Sequence, residues 1–274
     1  MRSLVKIHAR PKLREPNMIA AWPGIANVAM IAGSYLAHKL SPKPLAEVVA
    51  PYFFDPIGVL VRDNVVESPQ FPESRFFYWK NTPGKRDLII FIGDDQPSSK
   101  TYEMAHTVID VAERFGVKRL YTCAAALTRI HHSEQPKVWA AATREPLLAD
   151  LKSRGLVMGG DLQISGLNGL LLGVAKERQL DAICLLGEVP QYASRFPNPI
   201  AALSIAETML KILDIEVDLA ELREQAAEAA GRLKEMAAEA MGDYIDYFTE
   251  PIWERGESEE EEGDEEDDNS NSPN

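Results

Sequence analysis

The sequence predicts an α/β fold, a three-layer domain whose mainly parallel sheet carries helices on both faces, followed by a C-terminal helical extension. Three observations predict it. Runs at 17–22, 88–92 and 181–186 are apolar almost without interruption, as strands covered on both faces must be. Segments with apolar residues at three- and four-residue spacing alternate with such runs. Gly- and Pro-containing turns join one kind of segment to the other, in the rhythm of βαβ units.

The elements follow in order. Residues 1–16 are basic, hold two prolines and show no usable period, so they read as an N-terminal arm. A first strand at 17–22 leads through Pro23-Gly24 to a helix starting at Asn27, with Val28, Ile31, Ala32, Tyr35 and Leu36 on one face. Prolines at 42, 44, 51 and 56 break the next stretch. Within it, 57–61, 64–67 and 75–79 are expected as antiparallel strands, in a hairpin or as an edge extension of the main sheet. From 88 the rhythm resumes: strand 88–92, the turn Gly93-Asp94-Asp95, helix 101–114, strand 117–123, loop 124–132, strand 137–143 and helix 145–154. A Gly-, Ser- and Asn-rich stretch at 161–168 opens another helix, strand 181–186 follows, and a helix at 199–213 has proline in its first turn. The expected domains are the arm 1–16, a core at 17–214, a helical extension at 215–255 and a disordered acidic tail at 256–274.

The extension begins with Leu219, Leu222, Ala226, Ala229, Leu233, Met236 and Ala240 at alternating spacings of three and four, a heptad seam. It reads either as a helix packed on its own domain or as one that pairs with a neighbouring subunit. An aromatic segment at 244–253 reads as a docked terminus or a partner anchor.

Bulk properties narrow the function. The chain has 274 residues, 45% of them apolar, as in ordinary globular proteins. Ten acidic groups of the tail, at 257–268, account for most of the net charge of −13 and leave −3 on the rest. A nearly neutral body has no basic face for nucleic acid. No secretory leader pattern opens the chain, and no apolar run approaches the roughly eighteen residues of a spanning helix, so a cytoplasmic location away from membranes is expected. Cys123 and Cys184 sit in apolar runs and read as buried thiols.

No phosphate-binding loop, dinucleotide fingerprint, nucleophile elbow or zinc-protease motif is present. His131-His132-Ser133-Glu134 holds metal-type ligands, but neighbours in sequence diverge in space, and a polar surface loop explains them. No metal, cofactor or catalytic residue is assigned. Asn27, Asp94, Asp95 and Glu188 each follow an expected strand after a Gly or Pro turn. In a parallel sheet they would gather beyond the strand carboxyl ends, where ligands bind, together with Ser165 and Asn168. Helix capping and turn formation explain the same residue types without a ligand.

Four blocks also carry a resemblance. The sequences AWPGIANVA at 21–29, ISGLNGLLLG at 164–173, LLGEVPQY at 185–192 and PNPIAA at 197–202 resemble, in order and spacing, the signature blocks of the proteasome assembly chaperone 2 family. Trp22, Pro23, Gly24, Asn27, Ser165, Gly166, Asn168, Gly169, Glu188, Pro190 and Tyr192 lie in these blocks; with Gly93, Asp94 and Asp95 they form the candidate site set. The resemblance implies a three-layer domain similar to nucleoside phosphorylases, a homo-oligomer, and a non-enzymatic assembly or interaction role with proteasome α subunits or another ring protein. The alternative is a small-molecule-binding protein or an enzyme of phosphorylase-like or ATP-grasp-ligase-like type, with its pocket at the strand carboxyl ends. Archaeal proteasome-binding members end in a hydrophobic residue, Tyr and one more residue. This sequence ends Asn271-Ser272-Pro273-Asn274, so docking by such an anchor is not expected.

Overall fold

The computed structural model describes residues 4–249 apart from 57 and 160. It contains two compact units, Met1–Ala230 and Gly231–Asn274. In chain order the elements are β1 (Val5–Ile7), β2 (Asn17–Ala21), α1 (Val28–Leu40), β3 (Lys43–Val48), α2 (Ala50–Phe53), β4 (Val61–Arg62), β5 (Val65–Val66), β6 (Ser74–Trp79), β7 (Leu88–Gly93), α3 (Thr101–Arg114), β8 (Arg119–Thr128), β9 (Val138–Ala142), α4 (Glu145–Ser153), α5 (Gly166–Glu177), β10 (Asp181–Pro190), α6 (Pro199–Leu213) and α7 (Ala220–Thr249).

Eight strands form one sheet in the order β1-β3-β6-β7-β2-β8-β10-β9. The central four, β7, β2, β8 and β10, are parallel, which is the two-faced sheet the apolar runs predict. β6 and β9 flank them antiparallel, and β3 and β1 continue one margin. β2 is buried at all five positions. Its Met18 and Ala20 join the cluster beneath α3 and α5, while Ala21 faces Gly33 of α1 on the opposite side. Helices α1 and α6 cover that second face. Close approach there depends on two glycines: a Cβ at Gly33 would stand 2.5 Å from the Ala21 Cβ, and one at Gly187 would stand 2.9 Å from the Ala201 carbonyl oxygen.

Several elements differ from the sequence expectation. Val5–Ile7, inside the stretch read as an arm, is a strand paired with β3. β3 and α2 were hidden by prolines: Pro44 lies at a register shift in β3, and Pro51 occupies the first turn of α2, places where proline costs little. The expected strands at 57–61 and 64–67 reduce to the short β4–β5 hairpin, whose Asp63 and Asn64 both have positive φ, 49° and 64°. The expected strand at 75–79 is β6, antiparallel to β7.

The larger corrections concern β8 and β10. The expected loop beginning at 124 is strand as far as Thr128, and β10 continues through Glu188 to Pro190 instead of ending at 186. The two strands pair in parallel without a break from Asp181↔Arg119 to Pro190↔Thr128, so each extends the other beyond its apolar run.

In the first unit, Leu219, Leu222, Ala226 and Ala229 of the expected seam are buried. The Tyr35 hydroxyl donates to the Asp218 carbonyl, Lys39 pairs with Glu221, and Arg223 pairs with Glu207, tying this segment to α1 and α6. The side chains of the aromatic segment at 244–253 and the acidic tail lie outside the described residues. No helix among the described residues is long and apolar enough to cross a membrane.

Candidate functional site

A crevice of about 250 Å³ opens at the carboxyl ends of the parallel strands. Gly24, Ile25 and Ala29 after β2, Gln96 after β7, Ala124 and Ala125 of β8 and Leu186 of β10 form part of its wall. The start of α5 supplies the rest through Ser165, Gly166 and Asn168, preceded by Gln163 and Ile164.

Two glycines shape that helix start. Gly166 has φ +68°, and a Cβ there would also stand 2.7 Å from the Gln96 Oε1. A Cβ at Gly169 would lie 1.8 Å from the Ile164 carbonyl oxygen, so only glycine lets the preceding chain fold back over the first turn. Gln96 then links two elements. Its Nε2 donates to the Pro23 carbonyl at 2.7 Å, and its Oε1 accepts from the Leu167 backbone N–H at 2.9 Å. Sequence reading passed over Gln96, although it directly follows the singled-out Asp94-Asp95 pair.

Polar satisfaction is incomplete here. Asn168 is buried, and its Oδ1 has no hydrogen-bond partner; the indole Nε1 of wholly buried Trp22 has none either. Each such group costs about 1–3 kcal/mol in desolvation.

Other candidates are engaged elsewhere. Glu188 lies inside β10, with Oε2 accepting from the Lys137 backbone N–H at 2.9 Å and Oε1 from the Trp139 indole N–H at 3.0 Å. Both carboxylate oxygens thus clamp β9 and its approach to β10. Asp94 accepts from the Glu73 N–H, and Asp95 from the N–H of Gln96 in a local turn. Asn27 does not cap α1 with its side chain; it has φ 53°, which asparagine tolerates, and follows Ala26 at φ 51°. Ala26 is held by N–H donation to the Ser194 carbonyl and by accepting from the Asn198 N–H. Gly93 ends β7, Pro190 ends β10, and Tyr192 stands half-exposed in the following short turn, its phenol pushed up by burial. The crevice therefore gathers Gly24, Ser165, Gly166 and Asn168 from the candidate set, while the acidic residues serve structural bonds.

Elsewhere, His131, Ser133 and Glu134 bond one another in a surface loop, and no metal-type cluster occurs among the described residues. Cys123 and Cys184 are buried free thiols. Burial pushes the Cys184 thiol up to about 12 and that of Cys123 further still, aided by Cys184 nearby. Neither is a ready thiolate.

The model of the family described as PAC2 matches residues 18–237, most of the chain. The chain belongs to the PAC2 family. Among solved structures, PbaB of Pyrococcus furiosus, described as an archaeal proteasome activator, is 31% identical, with 85% of this chain and 98% of that chain covered and a TM-score of 0.72. PbaA of the same organism, described as an archaeal homologue of proteasome-assembly chaperone, is 24% identical with a TM-score of 0.65, covers 85% of this chain and 96% of its own, and shares the fold. An uncharacterised protein of Methanocaldococcus jannaschii is 29% identical over 215 residues, which are 76% of this chain and 78% of the relative. In this PAC2 chain the signature blocks have physical roles: Gly24 and Pro23 form the turn that Gln96 grips, Gly166 and Gly169 admit the α5 start, Gly187 lets α6 lie on β10, and Asn198 caps α6 through the Ala201 N–H.

Proposed function

We propose that this PAC2 protein is a non-enzymatic, homo-oligomeric cytoplasmic protein that engages a proteasome ring, or a comparable ring protein, in assembly or activation. The observation that carries this reading is the likeness to PbaB, described as a proteasome activator, at 31% identity along 98% of that chain. The geometry is in keeping with it. Glu188, Asp94 and Asp95, carboxylates near the strand ends, each accept hydrogen bonds within the fold. The β4–β5 hairpin also leaves Val61, Val65 and Val66 exposed, with Val59 and Leu60 just before it, an apolar surface of the kind that marks protein contacts.

The test is a gentle pull-down from a native lysate with the full chain as bait. The proposal expects a ring α subunit in the captured fraction. Absence of any ring subunit, with the ring demonstrably present in the lysate, contradicts it.

A further inference from the structure

Three cations at one end of the sheet have no counterpart in the fold. Many basic side chains elsewhere on the described surface are matched, Arg144 by Asp181, Arg178 by Glu113 and Arg223 by Glu207 among them. Arg129, Lys137 and Arg195 are exposed, and none of their side chains has an ion pair or hydrogen bond among the described residues.

Topology brings the three together. Arg129 follows Thr128, which pairs with Pro190 at the last rung of β8 and β10. Lys137 stands just before β9, its backbone N–H donating to Glu188 Oε2 and its carbonyl accepting from the Glu188 N–H. Arg195 lies just past the short turn that follows β10. They therefore mark the same end of three neighbouring strands, which lie about 5 Å apart. Glu188 and Glu134, the acids on these strand ends, are already engaged, the first by two donors and the second by the His131 N–H. Leu127, Tyr192 and Phe196 stand on the same segments, each roughly half-exposed. Cations without acids, set among apolar side chains, suit an extended acidic chain.

The protein itself carries the complement. Residues 257–268 hold ten acidic groups and no basic one, and like charges keep such a run from building a core of its own. At about 3.3–3.6 Å per residue, an extended stretch of about three or four of them covers the width of the three strand ends. Several carboxylates can then face the three cations at once.

We propose that the acidic segment 257–268 of one copy docks on the surface of Arg129, Lys137 and Arg195 of a second copy. Each chain offers one such segment and one such surface, so exchange between copies in a closed assembly leaves no surface unmatched. The inference rests on the homo-oligomeric part of the proposed function. Exposed ion pairs are individually weak, so this contact latches an assembly and is sensitive to salt.

The experiment is carbodiimide cross-linking, which joins a carboxylate and a touching lysine amine as an amide, on an equal mixture of isotope-labelled and unlabelled full chains. Cross-links between Lys137 and 257–268 that combine a labelled with an unlabelled peptide are expected. Lys80 is the reference amine, exposed just after β6 at the opposite end of the sheet, and should give few. The double variant Arg129→Ser, Arg195→Ser keeps Lys137 and should lower the mixed yield about tenfold, about threefold for each lost pair. Raising salt from about 0.1 M to about 1 M, which shortens the screening length from about 10 Å to about 3 Å, should also lower it. The proposal is overturned by mixed links no more frequent at Lys137 than at Lys80, by links confined to one isotope, or by a yield that neither the double variant nor salt lowers. A homo-oligomer in native mass spectrometry without these links overturns this inference alone, while a monomer removes the homo-oligomeric reading with it.

Discussion

The Glu188 clamp and the Asn168 crevice occupy equivalent positions, each a buried polar side chain near the carboxyl ends of parallel strands, exposed by only 9% and 7%. Their bonding is opposite. Glu188 has both oxygens engaged, one by a backbone N–H and one by an indole N–H, whereas the Asn168 amide oxygen has no partner. Position at a strand end therefore does not decide a side chain's bonding; the partners that the fold brings to it do. Buried polar groups that are satisfied make the fold more specific, and one that is not carries a desolvation cost.

Substitutions can break or sharpen this contrast. The largest effect is expected at Gly169→Ala, because the new methyl would meet the Ile164 carbonyl and displace the helix start. A loss of about 3 kcal/mol in urea unfolding is expected, and an unchanged midpoint would show that the α5 start is not pinned by this contact. Glu188→Ala leaves the Lys137 N–H and the Trp139 indole without acceptors, with an expected loss of about 2–3 kcal/mol. Glu188→Gln keeps one acceptor and should lose about half as much. Asn168→Ala removes an amide oxygen that has no partner, so its stability should stay within about 1 kcal/mol of the parent. A loss equal to that of Glu188→Ala would erase the contrast and make Asn168 structural.

The smallest effect lies at the sheet margin. The hydrogen bond from Lys6, with help from His8, holds the Glu47 carboxyl below the usual glutamate range. Because the folded value is depressed, the stabilisation is complete above the ordinary glutamate range and is lost as pH falls through the folded value. Amide exchange on acidification should therefore loosen β1 before the central strands, and simultaneous loosening would show that Glu47 does not hold this edge.

The parts of the fold legible in sequence are those whose signal is local. α3 and α6 fall at the expected residues, and β2 and β7 within one residue of expectation, because helical spacing or an unbroken apolar run marks each within its own segment. The extension of β10 was not legible, since Gly187 and Glu188 look like loop residues until β8 is placed beside them, Ala201 accounts for the missing side chain at 187 and Trp139 pairs with the one at 188. Gln96 escaped notice for the same reason: it joins partners more than seventy positions away, Pro23 and Leu167. Gly169 was visible as part of a family block, but the carbonyl that demands glycine there is visible only in three dimensions.

Native mass spectrometry of the gently purified full chain tests the central claim most directly, because subunit number and co-purified proteins appear in one spectrum. A homo-oligomer carrying a substoichiometric ring subunit is the predicted result. A monomer with no ring subunit, from cells in which the ring protein is abundant, would contradict the proposed function.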